Sequence, residues 1–93
     1  MIPKNRTTTH PGIVLLIEFL EPLKVTQKAL AGHLDIPVQR INEIVRGKRG
    51  ISPETAWLLS EALNTSPELW LNLQTNYDLS SSRPENHVQP LVA

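Results

Sequence analysis

The sequence predicts an all-α protein, a bundle of five helices, and three observations support this. Apolar residues recur at intervals of three and four, which is the period of one face of a helix. The tripeptide Ser-Pro-Glu occurs at 52–54 and 66–68. It is a typical helix start because Ser caps free N–H groups and Pro is tolerated in the first turn. Finally, 93 residues with 40% hydrophobic content suit one small domain with a single core.

The first predicted helix has Thr9 or His10 as its N-cap and Pro11 in its first turn. It runs to about Leu20, and we expect it to end before Pro22 because proline would disrupt the helix interior. Its body is unusually apolar. A surface helix needs one apolar stripe, and this segment has more than one.

Residues 26–46 are predicted to form two short helices that meet at a fixed angle, a helix-turn-helix. Thr26 is the expected N-cap of the first helix, and Ala31 lies where a crossing helix approaches most closely. Asp35 tolerates the left-handed backbone that the turn requires, and Pro37 is expected at the first position of the second helix. The buried face of that second helix is predicted to consist of Ile41, Ile44 and Val45.

The loop at residues 46–50, Arg-Gly-Lys-Arg-Gly, ends the second helix of the motif, and Gly47 suits a left-handed cap. Its three cations have two explanations. They match the negative end of the helix dipole as a solvated loop, or they form a phosphate clamp. We favour the clamp because the loop directly follows the proposed reading helix.

The fourth helix is predicted from the Ser52 cap to about Asn64, and the fifth from the Ser66 cap to about Leu79. The chain therefore divides into a flexible N-terminal arm at 1–9, one helical domain at 10–79 and a disordered tail at 80–93. The tail begins with Ser-Ser-Ser-Arg-Pro and has little to bury.

Net charge is zero over the whole chain, but the charge is unevenly distributed. Residues 24–49 contain six basic and two acidic side chains, whereas residues 52–79 contain four acidic side chains and no Lys or Arg. One half of the domain is therefore suited to face phosphate, and the other is not.

The composition also argues against several classes of protein. There is no cysteine for disulfides or thiolate metal sites, which favours a reducing cytoplasm. His10, His33 and His87 are too dispersed for a metal site, so we expect neither metal nor cofactor.

The acidic residues lie at helix starts and on outer faces, which argues against catalysis. The apolar run 13–17 is too short for a membrane span, which needs about 20 residues.

The general resemblance to a helix-turn-helix rests on the type and spacing of seven residues, Gln27, Leu30, Ala31, Leu34, Ile36, Ile41 and Ile44. Asp35 stands where that motif usually has Gly, and remains compatible with the turn. With its flanks, the chain resembles the HigA-type antitoxin family, also called virulence-associated protein I, of the Xre-like helix-turn-helix class. The segments that carry this resemblance are HPG, FLEPL, QKALA, RINEIVRGKRGIS and TSPELWLNLQTNYDL.

The resemblance covers about residues 10–79 and implies a five-helix fold with a lambda-repressor-like DNA-binding domain. It further implies a homodimer that binds a palindromic operator in double-stranded DNA and represses its own operon. It also implies neutralisation of a cognate toxin, a ribosome-dependent enzyme that cleaves mRNA. A solitary repressor without a toxin and a helical interaction module that has lost DNA binding remain as alternatives.

Carried onto this chain, the family's reading helix falls on residues 37–46. Arg can pair with guanine and Asn with adenine, and Val38 is a candidate for contact with a thymine methyl group. Glu43 has a second, favoured interpretation as an intrahelical partner of Arg40 or Arg46. The candidates for base contact are Val38, Gln39, Arg40, Asn42 and Glu43.

Phosphate contacts are predicted on both sides of the reading helix. The start of the first motif helix exposes backbone N–H groups that attract anions, and the cations nearby would add contacts that weaken with salt. The predicted phosphate-contacting residues are Thr26, Gln27, Lys28, Arg46, Lys48 and Arg49.

We expect Trp57 to lie in the core, as large apolar side chains at helical spacing usually do. The same core interpretation is open for Trp70, but the family resemblance places dimer contacts on the fifth helix, at Trp70, Leu73 and Tyr77. Such contacts would hold two reading helices about 34 Å apart, one turn of DNA.

Ile13, Leu16 and Ile17 form one stripe on the first helix, where the family commonly has polar residues. Two interpretations stay open. The stripe is buried in the bundle or the dimer, or it is an exposed contact surface for the toxin.

Overall fold

The computed structural model describes residues 9–92, which form five helices and no strand. We number them α1 (residues 11–23), α2 (Gln27–Leu34), α3 (Val38–Val45), α4 (Pro53–Leu63) and α5 (Pro67–Ser81). The predicted all-α fold and the helix-turn-helix, α2 and α3, are confirmed. None of the described helices is long and apolar enough to cross a membrane.

Helix α1 does not end before Pro22, so that prediction was wrong. It has three parts: an α-helical turn at Pro11–Val14, a π-helical segment at Leu15–Leu20 and an α-helical turn at Glu21–Leu23. In the π segment hydrogen bonds close over five residues, as in the bond from the Glu21 N–H to the Leu16 carbonyl. The wider turn ends just before the proline, whose missing N–H therefore falls in the first turn of a new α-helical segment.

The helix starts follow the predicted chemistry in most places. Thr26, Ser52 and Ser66 each accept a hydrogen bond from the backbone N–H three residues later. At the start of α1 the cap is His10, whose Nδ1 accepts from the Gly12 N–H at 2.9 Å. Pro37 is itself the N-cap of α3, with extended backbone, so its predicted place inside the helix is wrong by one residue.

The first four helices end with the same backbone conformation, a residue in the left-handed region. A residue with positive φ follows each of the first four helices: Lys24 (58°), Asp35 (57°), Gly47 (74°) and Asn64 (55°). The next N–H then bonds to a carbonyl five residues back, as from Ile36 to Ala31 at 3.0 Å. The left-handed conformations predicted for Asp35 and Gly47 are confirmed, and the short loops they produce keep α2 and α3 at one angle.

The two tryptophans differ in burial, and the core residue is Trp70 rather than Trp57. Trp70 is fully buried, its ring centroid lies 5.4 Å from that of Phe19, and its Nε1 donates to the Thr65 hydroxyl at 2.8 Å. Trp57 is 58% exposed, so the expectation that it is a core residue was wrong. The buried face of α4 is formed by residues 55, 56, 59 and 60, and Trp57 lies beyond that stripe.

Gly12 sets the distance between α1 and α3. A Cβ atom at this position would overlap the carbonyl group of Ile44 in the last turn of α3. The residue is buried, and its neighbour Pro11 is also buried in the same contact region. The absence of a side chain therefore lets the start of α1 support the end of α3 directly.

Helix α5 extends to Ser81, two residues beyond the predicted end, and the hydroxyls of Ser80 and Ser81 bond back to the Tyr77 carbonyl. Residues 82–92 are exposed and form no regular element. Disorder of the tail stays a prediction. The predicted flexible arm lies, apart from Thr9, outside the described residues.

We predict that Gly12→Ala destabilises the fold by roughly 2 kcal/mol or more, because the new methyl group must displace backbone rather than a flexible side chain. Chemical denaturation would measure the free energy of unfolding. Gly32→Ala is the matched control: nothing lies within 4 Å of its Cβ position in α2. That variant should be stabilised by about 0.5–1 kcal/mol, and equal effects at the two sites would contradict the proposed contact.

Candidate nucleic-acid interface

Helix α3 has one buried and one accessible face. Ile41, Ile44 and Val45 are buried against the rest of the bundle. Val38 is 45% exposed, Gln39 is exposed, and Arg40, Asn42 and Glu43 are half-buried. The predicted base-reading residues therefore share the accessible side of one helix, together with the exposed Arg46 that ends it.

A hydrogen bond joins the two helices of the motif at their accessible side. Asn42 Nδ2 in α3 donates to Gln27 Oε1 in the first turn of α2, at 3.2 Å. Each amide keeps further donors and acceptors for another partner. The bond joins the first turn of α2, which also contains Lys28, to the middle of α3.

Glu43 shapes the loop that follows α3. Its backbone carbonyl accepts from the N–H groups of Lys48 and Arg49, at 2.8 and 3.2 Å. Its carboxylate accepts from Arg49 Nε at 2.8 Å and from Gln39 Nε2 at 3.5 Å. The expected pairing with Arg40 or Arg46 was therefore wrong: the loop turns back after Gly47 and brings Arg49 to this carboxylate.

Arg40 has a partner that the sequence reasoning missed. Its Nη1 lies 3.2 Å from Oε1 of Glu54, at the start of α4. The acidic half of the chain therefore contacts α3 at one point. The Ser-Pro-Glu signal predicted where α4 begins, but not that this turn lies beside α3.

The basic loop at residues 46–50 lies against the start of α1 and the middle of α5. A Cβ on Gly47 would lie 3.9 Å from the His10 ring, and the His10 ring packs edge-on against Tyr77 at 4.8 Å. The Ile51 N–H donates to Gln74 Oε1 at 2.7 Å, and Gln74 Nε2 donates to Asp78 at 2.9 Å. Residues on both sides of the loop are therefore anchored to the same stretch of α5.

The residues predicted for protein contacts differ in how much surface they offer. Trp70 has none, because it is wholly buried within its own chain, so its predicted dimer contact is contradicted. Leu73 and Tyr77 are half-buried and keep some surface. Ile13 is 42% and Ile17 49% exposed, with Leu16 half-buried, so burial of this stripe in the bundle is wrong, and a dimer or toxin surface remains.

Comparison with known proteins identifies the family of this chain. The helix-turn-helix family model matches residues 16–70, more than half of the chain. Virulence-associated protein I of Dichelobacter nodosus is 42% identical over 76 residues, which cover 82% of this chain and 70% of that protein. Antitoxin HigA-1 of Vibrio cholerae is 38% identical over 79 residues, which cover 85% of this chain and 74% of that protein. The chain belongs to the HigA-type antitoxin family of helix-turn-helix proteins. The resemblance inferred from its motifs is thereby confirmed.

Two solved structures extend the similarity across almost the whole chain. Antitoxin HigA of Pseudomonas aeruginosa, solved with the higBA promoter, has a TM-score of 0.85 and 35% identity, covering 91% of this chain and 99% of that one. Antitoxin GraA in complex with its operator has a TM-score of 0.86 and 35% identity, covering 100% of both chains. Both of these relatives are antitoxins whose structures were determined with DNA.

We predict that His10 makes the fold sensitive to mild acid. Burial lowers the pKa of His10 below its ordinary value of 6.5, although the Asp78 carboxylate opposes this shift. The unfolded chain therefore binds a proton more readily, and the free energy of unfolding should fall as the pH drops below 6.5. Protonation of Nδ1 would also remove the acceptor for the Gly12 N–H.

Chemical denaturation of the wild type and His10→Asn between about pH 7 and about pH 5 would test this. Asn can cap the helix without titrating in this range. The variant should lose less stability than the wild type as the pH falls. Parallel curves for the two proteins would contradict a role for His10.

Proposed function

We propose that this chain is a sequence-specific DNA-binding antitoxin that represses its own operon and neutralises a toxin. The observation that carries the DNA-binding part is the accessible face of α3, which lies between the N-terminus of α2 and the loop at residues 46–50. Membership of the HigA-type family supports the regulatory part. The proposal involves no chemical reaction, since recognition by such a face requires only complementary donors, acceptors and charge.

In this proposal α3 enters the major groove and its side chains read base edges. Arg40 pairs with guanine, Asn42 with adenine, and Val38 contacts a thymine methyl group, while Gln39 and Glu43 complete the reading face. The DNA backbone on either side is contacted by Thr26, Gln27, Lys28, Arg46, Lys48 and Arg49. The cations among them replace counterions on the DNA, so that affinity falls with salt.

A palindromic operator would require two copies of α3 related by a two-fold axis. Leu73 and Tyr77 are our candidates for the contact between copies, because they are partly accessible on the long helix α5. The exposed Ile13 and Ile17, with Leu16, are our candidates for the toxin contact. Two apolar side chains exposed one turn apart are suited to bury surface against a protein rather than DNA.

We predict that Arg40→Ala and Lys48→Ala weaken DNA binding in different ways. Titrations would use a duplex covering the promoter of the chain's own gene and a scrambled duplex, each at several salt concentrations. Arg40→Ala should weaken promoter binding about 5- to 100-fold and scrambled binding much less. Lys48→Ala should weaken both and reduce the salt slope by about 1. Arg83→Ala, on the exposed segment after α5, is the control, and a loss equal to that of Lys48→Ala would argue against a specific clamp.

We predict that replacing both Ile13 and Ile17 with Glu abolishes toxin binding and leaves folding and promoter affinity intact, because both side chains are exposed. Binding would be measured by co-purification with the product of the adjacent reading frame, and folding by circular dichroism. Leu79→Glu, at a position 69% exposed on α5, is the control. Unchanged toxin binding, or loss of the dimer as measured by light scattering, would contradict the assignment of this stripe to the toxin.

A further inference from the structure

The two Ser-Pro-Glu segments have the same sequence and the same capping geometry but different surroundings. In each, the Ser hydroxyl accepts from the N–H three residues on, and the Glu lies in the first helical turn. Glu54 forms an ion pair with Arg40 of α3. Glu68 has no ion-pair partner among residues 9–92. The positive end of the helix dipole therefore accounts for both acids, and Glu54 has an additional contact.

The contact leaves Arg40 able to bind a base. A guanidinium group has N–H donors on three nitrogens, and the contact with Glu54 uses Nη1. Pairing with the O6 and N7 atoms of guanine needs two donors. Glu54 and a guanine can therefore be partners of the same arginine at the same time, and the ion pair need not break on binding.

The contact also reduces the freedom of Arg40 before DNA arrives. Arg has a long side chain with many rotamers, and fixing such a side chain at an interface reduces affinity. The side chain of Arg40 is only 29% exposed and lies against the start of α4, whereas that of Glu54 is 74% exposed. Part of the cost of orienting the guanidinium is thus met in the free protein.

The carboxylate has a second effect of opposite sign. Glu54 is a negative charge beside a face that would approach phosphates, so it disfavours DNA of any sequence. Its help to Arg40 matters only where a guanine meets the guanidinium. The same residue would therefore strengthen binding to the operator and weaken binding to other DNA.

We propose that Glu54 is a positioning residue that sets the sequence specificity of Arg40. This inference rests on the proposed base contact of Arg40. Glu54 holds the guanidinium by one nitrogen, leaves the others free for guanine, and lowers the affinity of α3 for non-operator DNA.

Glu54→Gln tests the proposal, with Glu68→Gln as the matched control because it removes the same charge from the same position in the first turn of a helix. The probes are the promoter duplex and the scrambled duplex, each measured with the full chain. Glu54→Gln should raise the dissociation constant for the promoter duplex about three- to tenfold. It should lower that for the scrambled duplex by about twofold, and an unchanged value would contradict the effect on non-operator DNA. Glu68→Gln should change both by less than about twofold.

A double-mutant cycle with Arg40→Ala separates orientation from a structural role. If Glu54 acts through Arg40, Glu54→Gln should cause no further loss of promoter affinity in the Arg40→Ala background. A loss that persists there, or equal losses on both duplexes, would overturn the inference. Circular dichroism and thermal unfolding of each variant show whether a loss reflects misfolding.

The same measurements distinguish this inference from the function on which it rests. If Arg40→Ala weakens promoter binding and Glu54→Gln does not, the positioning role fails and the base contact of Arg40 stands. If Arg40→Ala leaves promoter binding unchanged, both fail.

Discussion

The direct contact between α1 and the end of α3 is the constraint on which the other features of the site depend. Gly12 lies against the Ile44 carbonyl with no space for a side chain, and His10, two residues earlier, packs beneath Gly47. Because Ile44 and Gly47 lie on either side of the end of α3, this contact fixes both the direction of α3 and the start of the basic loop. Helix α3 has only eight residues, and a helix this short has little stability of its own, so it depends on packing against α1.

Given that support, polar side chains of the accessible face are arranged before any ligand binds. Asn42 is joined to Gln27, Arg40 to Glu54, and Glu43 to Arg49. Each bond is partly exposed and contributes little to folding, about 1 kcal/mol or less for such ion pairs. Their importance lies in orientation: the surface is ordered by weak contacts that use only part of each group's hydrogen-bonding capacity.

Apart from the helix boundaries at Pro22 and Pro37, sequence reasoning succeeded where the deciding interactions are local. The caps at Thr26, Ser52 and Ser66 and the left-handed residues Asp35 and Gly47 each depend on atoms within a few positions along the chain. It failed where the deciding contact is distant. Whether Trp57 or Trp70 is buried depends on how α4 and α5 face the bundle. Likewise, the partners of Arg40 and Glu43 depend on where loops return, which spacing along one helix does not encode.

The π-helical segment at Leu15–Leu20 gives α1 two orientations in one helix. Each additional residue in a turn rotates the remainder of the helix by about 100° relative to a regular α-helix. Before and within this segment Ile13 and Ile17 face outward, whereas Phe19 and Leu20 at its end face Trp70 and the core. The wider turn thus keeps Leu15 and Leu20, five residues apart, together in the core while Ile13 and Ile17 stay on the outer surface, so that a substitution at either isoleucine would change that surface without changing the packing of the core.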